Sequence, residues 1–173
     1  MSKYIKMYTA LISCPSDVGA YINSIKKGVD RFNNIYGEIN GIIVRTKYWL
    51  EDSFPESGGS GQELLNRQIV DTADIAIAVF WTKFGEPTEH FGSGTEEEIE
   101  HMISSGKQVF LYFLEKPISP SMLNSREQKK IENFKTNYRK SKKGMYFTVE
   151  NEIDLESKVT EGLIHYFSNI TSV

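Results

Sequence analysis

Asp74-Ile75-Ala76-Ile77-Ala78-Val79-Phe80-Trp81 is the most apolar run in the chain. Its hydrophobicity is continuous, not alternating. Such a run marks a strand covered on both faces, as in a parallel sheet flanked by helices. Upstream of it, residues 4–12 are rich in Ile, Tyr, Leu and Thr and read as a strand. Ser13-Cys14-Pro15-Ser16-Asp17 ends that strand with turn residues, and Ser16 or Asp17 can cap the helix that follows. In that helix Val18, Ile22, Ile25, Val29 and Phe32 recur at three- and four-residue spacing, and Gly37 stops it. Residues 41–50 form a second strand. Residues 51–61 form a Pro- and Gly-containing loop, long enough to shape a cleft rim, and 62–72 form a helix.

The same alternation continues downstream. A polar loop at 82–94 leads into a helix at 95–105, ended by Gly106. A strand follows at 107–114, then a turn at 117–120. A charged helix at 125–141 carries Ile131, Phe134 and Tyr138 as its apolar stripe. A fifth strand at 145–149 and a closing helix at 154–167 complete the chain. There is no internal repeat and no break in composition, so residues 1–173 are expected to be a single α/β domain. Strands and helices that alternate strictly imply a mostly parallel five-stranded sheet in a three-layer sandwich. The expected strand order is the flavodoxin-like 2-1-3-4-5. Ligands of such sheets sit beyond the carboxyl ends of the strands, at the switch point between strands 1 and 3.

The composition excludes several classes. The chain has 173 residues, 39% apolar and 25% charged, which suits a globular domain. A net charge of -3 argues against direct nucleic-acid binding. Met1-Ser2-Lys3-Tyr4 has no secretory pattern, and no stretch is long enough to span a bilayer. The single cysteine, Cys14, excludes an intramolecular disulfide and a cysteine-rich zinc site. His90, His101 and His165 have no metal-ligand spacing. A cytoplasmic protein with no metal and no membrane partner is expected.

The placement rule selects the loops at 13–17 and 82–95. Ser93-Gly94-Thr95 opens a helix whose free N–H groups and dipole can hold a phosphate, and Gly94 lets a backbone approach closely. Ser93 or Thr95 can equally be a plain helix cap, with the glutamates behind it complementing the dipole. Ile99, Met102 and Ile103 define the buried side of this helix. Glu97 then points to solvent, while Glu96 and Glu98 flank the buried side, and the helical wheel does not choose between them. Trp81 or Phe84 can stack on a base, although packing at a strand end is the simpler role for Trp81. Lys83 can meet a phosphate or remain a solvated loop charge. Cys14, near a helix start, can be activated or be a small buried residue. Asp74 lies at the other end of its strand and reads as structural.

Several stretches resemble known families. Asp74-Ile75-Ala76-Ile77-Ala78, Gly94-Thr95-Glu96-Glu97-Glu98-Ile99 and Gly106-Lys107-Gln108-Val109 resemble the nucleoside 2-deoxyribosyltransferase pattern, in which a glutamate after Gly-Thr is the glycosidic nucleophile. That register implies Glu98 as the catalytic group, with Glu96 the alternative. TIR domains share the related fold and place a catalytic glutamate on the corresponding helix, where they cleave the nicotinamide–ribose bond of NAD. A longer match takes in Leu11-Ile12-Ser13-Cys14-Pro15-Ser16-Asp17-Val18, Trp49, Gln62, Asp74, Phe80 to Thr88 and Ser93 to Glu100. It resembles a bacterial TIR-like family often found N-terminal to STAND-type NTPases implicated in defence signalling.

The resemblance implies a nucleotide ligand and an N-glycosidase with no cofactor, for which NAD or a related nucleotide is the substrate. Ser13, Cys14, Ser16 and Asp17 from the first loop would bind it. Trp81, Lys83, Phe84, Ser93, Gly94 and Thr95 would do so from the second. A non-catalytic module that self-associates or meets a STAND/NTPase-type partner is the alternative, and a deoxyribosyltransferase-like enzyme is another. Cys14 stands where a serine is expected, and Lys83 where an arginine is commoner. No second acidic residue precedes Gly94, which weakens transfer more than hydrolysis. The loop at 13–17 is too poor in Ser, Thr and Gly to cradle FMN.

Overall fold

The computed structural model describes residues 4–171, and the reading of the first three residues lies outside them. Five strands, β1 (Lys6–Ser13), β2 (Ile42–Tyr48), β3 (Ile75–Phe80), β4 (Gln108–Leu114) and β5 (Tyr146–Val149), form one sheet in the order β2-β1-β3-β4-β5. Every adjacent pair is parallel. The expected flavodoxin-like α/β sandwich is therefore present. The helices are α1 (Ile22–Phe32), α2 (Trp49–Asp52), α3 (Gly61–Leu65), α4 (Gly94–Ser104), α5 (Ser125–Lys140) and α6 (Glu152–Thr171).

Side chains alternate across the sheet and build two cores. Ala10 and Ile12 of β1, and Cys14 just beyond it, join Ile75, Ile77 and Val79 of β3 under α1 and α6. Leu11 of β1, with Ala76, Ala78 and Phe80 of β3, packs under α4 and α5. The small side chains of Ala76 and Ala78 lie where Ile99 and Met102 of α4 pack. All six residues of β3 are buried, which is why that strand reads as one continuous apolar run.

Local hydrogen bonds set the boundaries that differ from expectation. The chain leaves β2 at Tyr48 because the Asp52 carboxylate accepts the Tyr48 N–H at 2.8 Å and folds residues 49–52 into a helical turn. The first helix begins as a tight 3-10 segment, Ser16–Tyr21, and ends in a widened turn, Asn33–Gly37. The Asn33 side chain there both donates to and accepts from the Val44 backbone at 2.9 Å, occupying a polar group pair on the outer edge of β2. The last helix starts earlier than expected because Asn151 caps it through the Asp154 N–H at 2.9 Å. Asp74 accepts the Thr9 N–H at 2.7 Å and ties β1 to β3, the structural role its position implied. No helix among the described residues is long and apolar enough to cross a membrane.

Candidate functional site

The site grows from the parity of β1. Leu11 faces α4, so Ser13, two residues on, faces α4 as well. Its hydroxyl donates to Oε2 of Glu98, from the second turn of that helix. Glu98 is only 9% exposed. Burial pushes its carboxyl up to about 7, overcoming the hydrogen bonds from Ser13 and Gln62 that favour the ionised form, while Glu97 nearby adds to the rise. Among the described residues no cation contributes.

The other two glutamates are engaged elsewhere. Oε2 of Glu96 turns back to accept the Gly92 N–H at 2.8 Å. Glu97 does not point freely into solvent: it accepts from the Asn66 amide at 3.0 Å, across to the turn after α3. Asn66 in turn accepts from Nε2 of Gln62 at 3.0 Å. A side chain on Gly94 would come within 2.8 Å of the Gln62 oxygen, so the close approach of α3 to α4 needs glycine there.

Glu98 looks into a cleft of about 630 Å³ at the carboxyl ends of β1 and β3. Cys14, Ser16, Lys83, Gly94 and Thr95 line it. Trp49, Gln62 and, from the start of α5, Asn124 and Glu127 line it too. The last two approach from a helix with no sequence signal of involvement.

Other expected binding residues have different positions. Ser93 is fully buried, and its hydroxyl caps α4 by accepting the Glu96 N–H at 3.1 Å. Asp17 does not cap its own helix; its Oδ2 accepts the Thr82 N–H at 2.7 Å, the Thr82 hydroxyl at 2.9 Å and the Lys83 N–H at 3.0 Å. It pins the first loop to the second. Trp81 faces a neighbouring groove, packs edge-on against Tyr21 and donates to the Lys116 carbonyl at 3.1 Å. Phe84 folds back into the core, 4% exposed, stacked on Phe80 and packed on Phe134. Neither ring is a base platform within this cleft. Gly85, beside it, adopts φ 108°, a conformation that glycine tolerates best.

Cys14 is not an activated thiol. Burial and the nearby carboxylates of Glu98 and Asp17 push it up to about 12, outweighing any help from the adjoining helix start and from Tyr48. His90 is exposed beside Glu89, off the cleft lining. A larger groove of about 780 Å³ opens along the amino half of β4 and contains none of these residues. Among the described residues, no three His, Cys, Asp or Glu side chains are placed to hold a metal ion.

No curated protein matches the chain. Among solved structures, the translation elongation factor SelB from Methanococcus maripaludis, apo form, is similar at a TM-score of 0.52 and 14% identity, over 96% of this chain and 36% of that one. The chain thus spans about a third of that factor's length. A short-chain flavodoxin associated with a non-canonical PDU bacterial microcompartment gives a TM-score of 0.46 and 11% identity, over 94% of this chain and 99% of that one. Flavodoxin 1 from Bacillus cereus gives 0.41 and 12%, over 90% and 95%. These are likenesses of fold. Residues 39–164, which take in Gln62, Lys83 and Glu98, match the family model DUF4062, a domain of unknown function, and the chain belongs to that family.

Proposed function

We propose that the cleft hydrolyses the N-glycosidic bond of NAD or a related nucleotide, with Glu98 as the catalytic carboxylate. The observation that carries this reading is Glu98 itself: a buried carboxyl with no cation partner, held by Ser13 and facing an open cleft at the switch point. The resemblance of Gly94-Thr95-Glu96-Glu97-Glu98 to the deoxyribosyltransferase pattern supports the same register, and TIR domains carry a catalytic glutamate on the corresponding helix.

The chemistry is economical. The C1′–N bond breaks, and the electron pair leaves with the base. The Glu98 carboxylate stabilises the cation left at C1′ or bonds to it. Water then adds at C1′ and gives up a proton. A nicotinamide base departs neutral, so no general acid is required. The balance is NAD and water in; ADP-ribose, nicotinamide and a proton out. With its carboxyl pushed up to about 7, Glu98 exchanges its proton near neutral pH. A cationic substrate beside Glu98 would favour the carboxylate it needs.

One observation favours a second reading, a self-associating or STAND-partnered signalling module. Trp49, Leu50 and Phe54 are all exposed around the β2–α3 connection. Base release from NAD, nucleosides and nucleotides, followed by chromatography, separates the two. Release that Glu98→Ala abolishes and Glu96→Ala preserves is the expected result. No release from the parent protein, dilute or concentrated, would refute the glycosidase.

A further inference from the structure

Resting on that reading, we infer that among substrates with a cationic base this cleft prefers the N-riboside without a diphosphate to the dinucleotide. Two independent features of the cleft support the narrowing.

The first is charge. Four glutamates, Glu86, Glu89, Glu98 and Glu127, line the cleft against one lysine, Lys83. Fully ionised, they give the lining a formal charge of -3, from four negatives and one positive, and -2 once Lys130, paired with Glu127 at 2.9 Å, is added. Such a wall concentrates cations and repels a diphosphate. One lysine is enough to meet one phosphate.

The second is the state of the backbone donors. A phosphate cradle needs N–H groups that are free to turn toward the ligand. Along the second cleft loop the protein's own acceptors have taken them. Asp17 accepts from the N–H groups of Thr82 and Lys83. Glu127 accepts from those of Phe84 at 2.7 Å and Gly85 at 3.3 Å. Four successive amides are thus closed by two carboxylates. At the start of α4, the Gly94 N–H goes to the Glu86 carbonyl at 3.2 Å, and the Glu96 N–H to the Ser93 hydroxyl. At the start of α5, Asn124 takes the N–H groups of Arg126 and Glu127 at 3.0 and 3.2 Å. A diphosphate held by the amides of residues 82–85 would have to displace a carboxylate and then sit beside it.

A cationic base meets the opposite situation. Glu98 lies buried at the floor, with Glu86 and Glu89 at the mouth. The same negative field that attracts the base would stabilise the cation formed at C1′ when the bond breaks.

The test is binding of nicotinamide riboside, nicotinamide mononucleotide, NAD and inosine by calorimetry, in the parent protein and in Glu98→Gln, at low and high salt. The expected order is riboside first, at least about tenfold tighter than NAD, with inosine weaker than the riboside and the riboside's advantage shrinking in salt. Glu127→Ala, which frees the Phe84 and Gly85 amides, should move the preference toward NAD. NAD binding as tightly as the riboside in the parent protein overturns the inference, as does failure of all four probes to bind. If the order holds and no base is released, the ligand class stands and the hydrolytic reading falls.

Discussion

The clearest consequence of burying Glu98 is a pH-dependent loss of stability. Its carboxyl is raised from 4.5 to about 7 because burial penalises the charged form. The native state therefore holds this proton more tightly than the unfolded chain does. Its contribution to stability is complete below about pH 4.5 and is lost as pH rises through about 7. At roughly 1.4 kcal/mol per tenfold change in proton affinity, the whole window is worth about 3 kcal/mol. The groups facing Glu98 include Cys14, Tyr48, Glu97, Gln62 and the Ser13 hydroxyl. Cys14 and Tyr48 are both pushed up to about 12 and stay protonated throughout, so they add nothing to the slope. Glu98→Gln removes the titration while keeping an acceptor for Ser13. Urea unfolding of both proteins from pH 4.5 to 8 isolates the effect. Other carboxylates titrate in both and cancel in the difference. The parent's stability relative to the variant should fall by about 3 kcal/mol across the window. A flat difference would refute the burial argument. A rising one would mean that Ser13 and Gln62 hold Glu98 ionised.

Three further outcomes follow from the same geometry. Gln62→Leu removes a donor that favours the carboxylate, so the Glu98 carboxyl carbon, followed by NMR, should titrate above its parent midpoint; an unchanged midpoint would remove Gln62 from the site. Gly94→Ala should push Gln62 aside and lower base release about tenfold or more with little change in melting temperature, and full activity would show that α3 adjusts freely. Asp17→Ala abolishes three hydrogen bonds between the two cleft loops and should cost about 2–4 kcal/mol in urea unfolding, whereas a loss below roughly 0.5 kcal/mol would make the tether dispensable.

Much of the fold was legible because it rests on periodicity. The continuous apolar run at β3 and the amphipathic spacing of α1 fixed the layers, and the placement of a cleft at the β1–β3 switch point followed. What could not be read depends on contacts distant in sequence. Glu96 and Glu98 are equivalent on a helical wheel; only Gly92 on one side and Ser13 on the other, 85 residues from Glu98, separate them. Trp81 and Phe84 looked available because both flank a cleft loop. Yet Trp81 packs toward α1 and Phe84 toward α5, one on each side of the sheet, and each finds an aromatic neighbour there. Glu127 closes amides 43 and 42 residues upstream, a pairing that no local pattern announces.

The way Glu98 is held also explains why the site and the fold cannot be separated. Its donors come from β1 and α3, and the carboxyl itself from α4, so the arrangement exists only when three elements are packed together. A buried acid of this kind opposes folding whenever it is ionised, and above about pH 7 a neutral amide in its place should make the protein more stable than the parent. The same substitution deletes the one lining carboxylate among the described residues that is buried. A gain in stability coupled to a loss of base release is the signature of a group kept for chemistry at the expense of packing. A gain in stability with base release intact would instead make Glu98 a tolerated defect of the core.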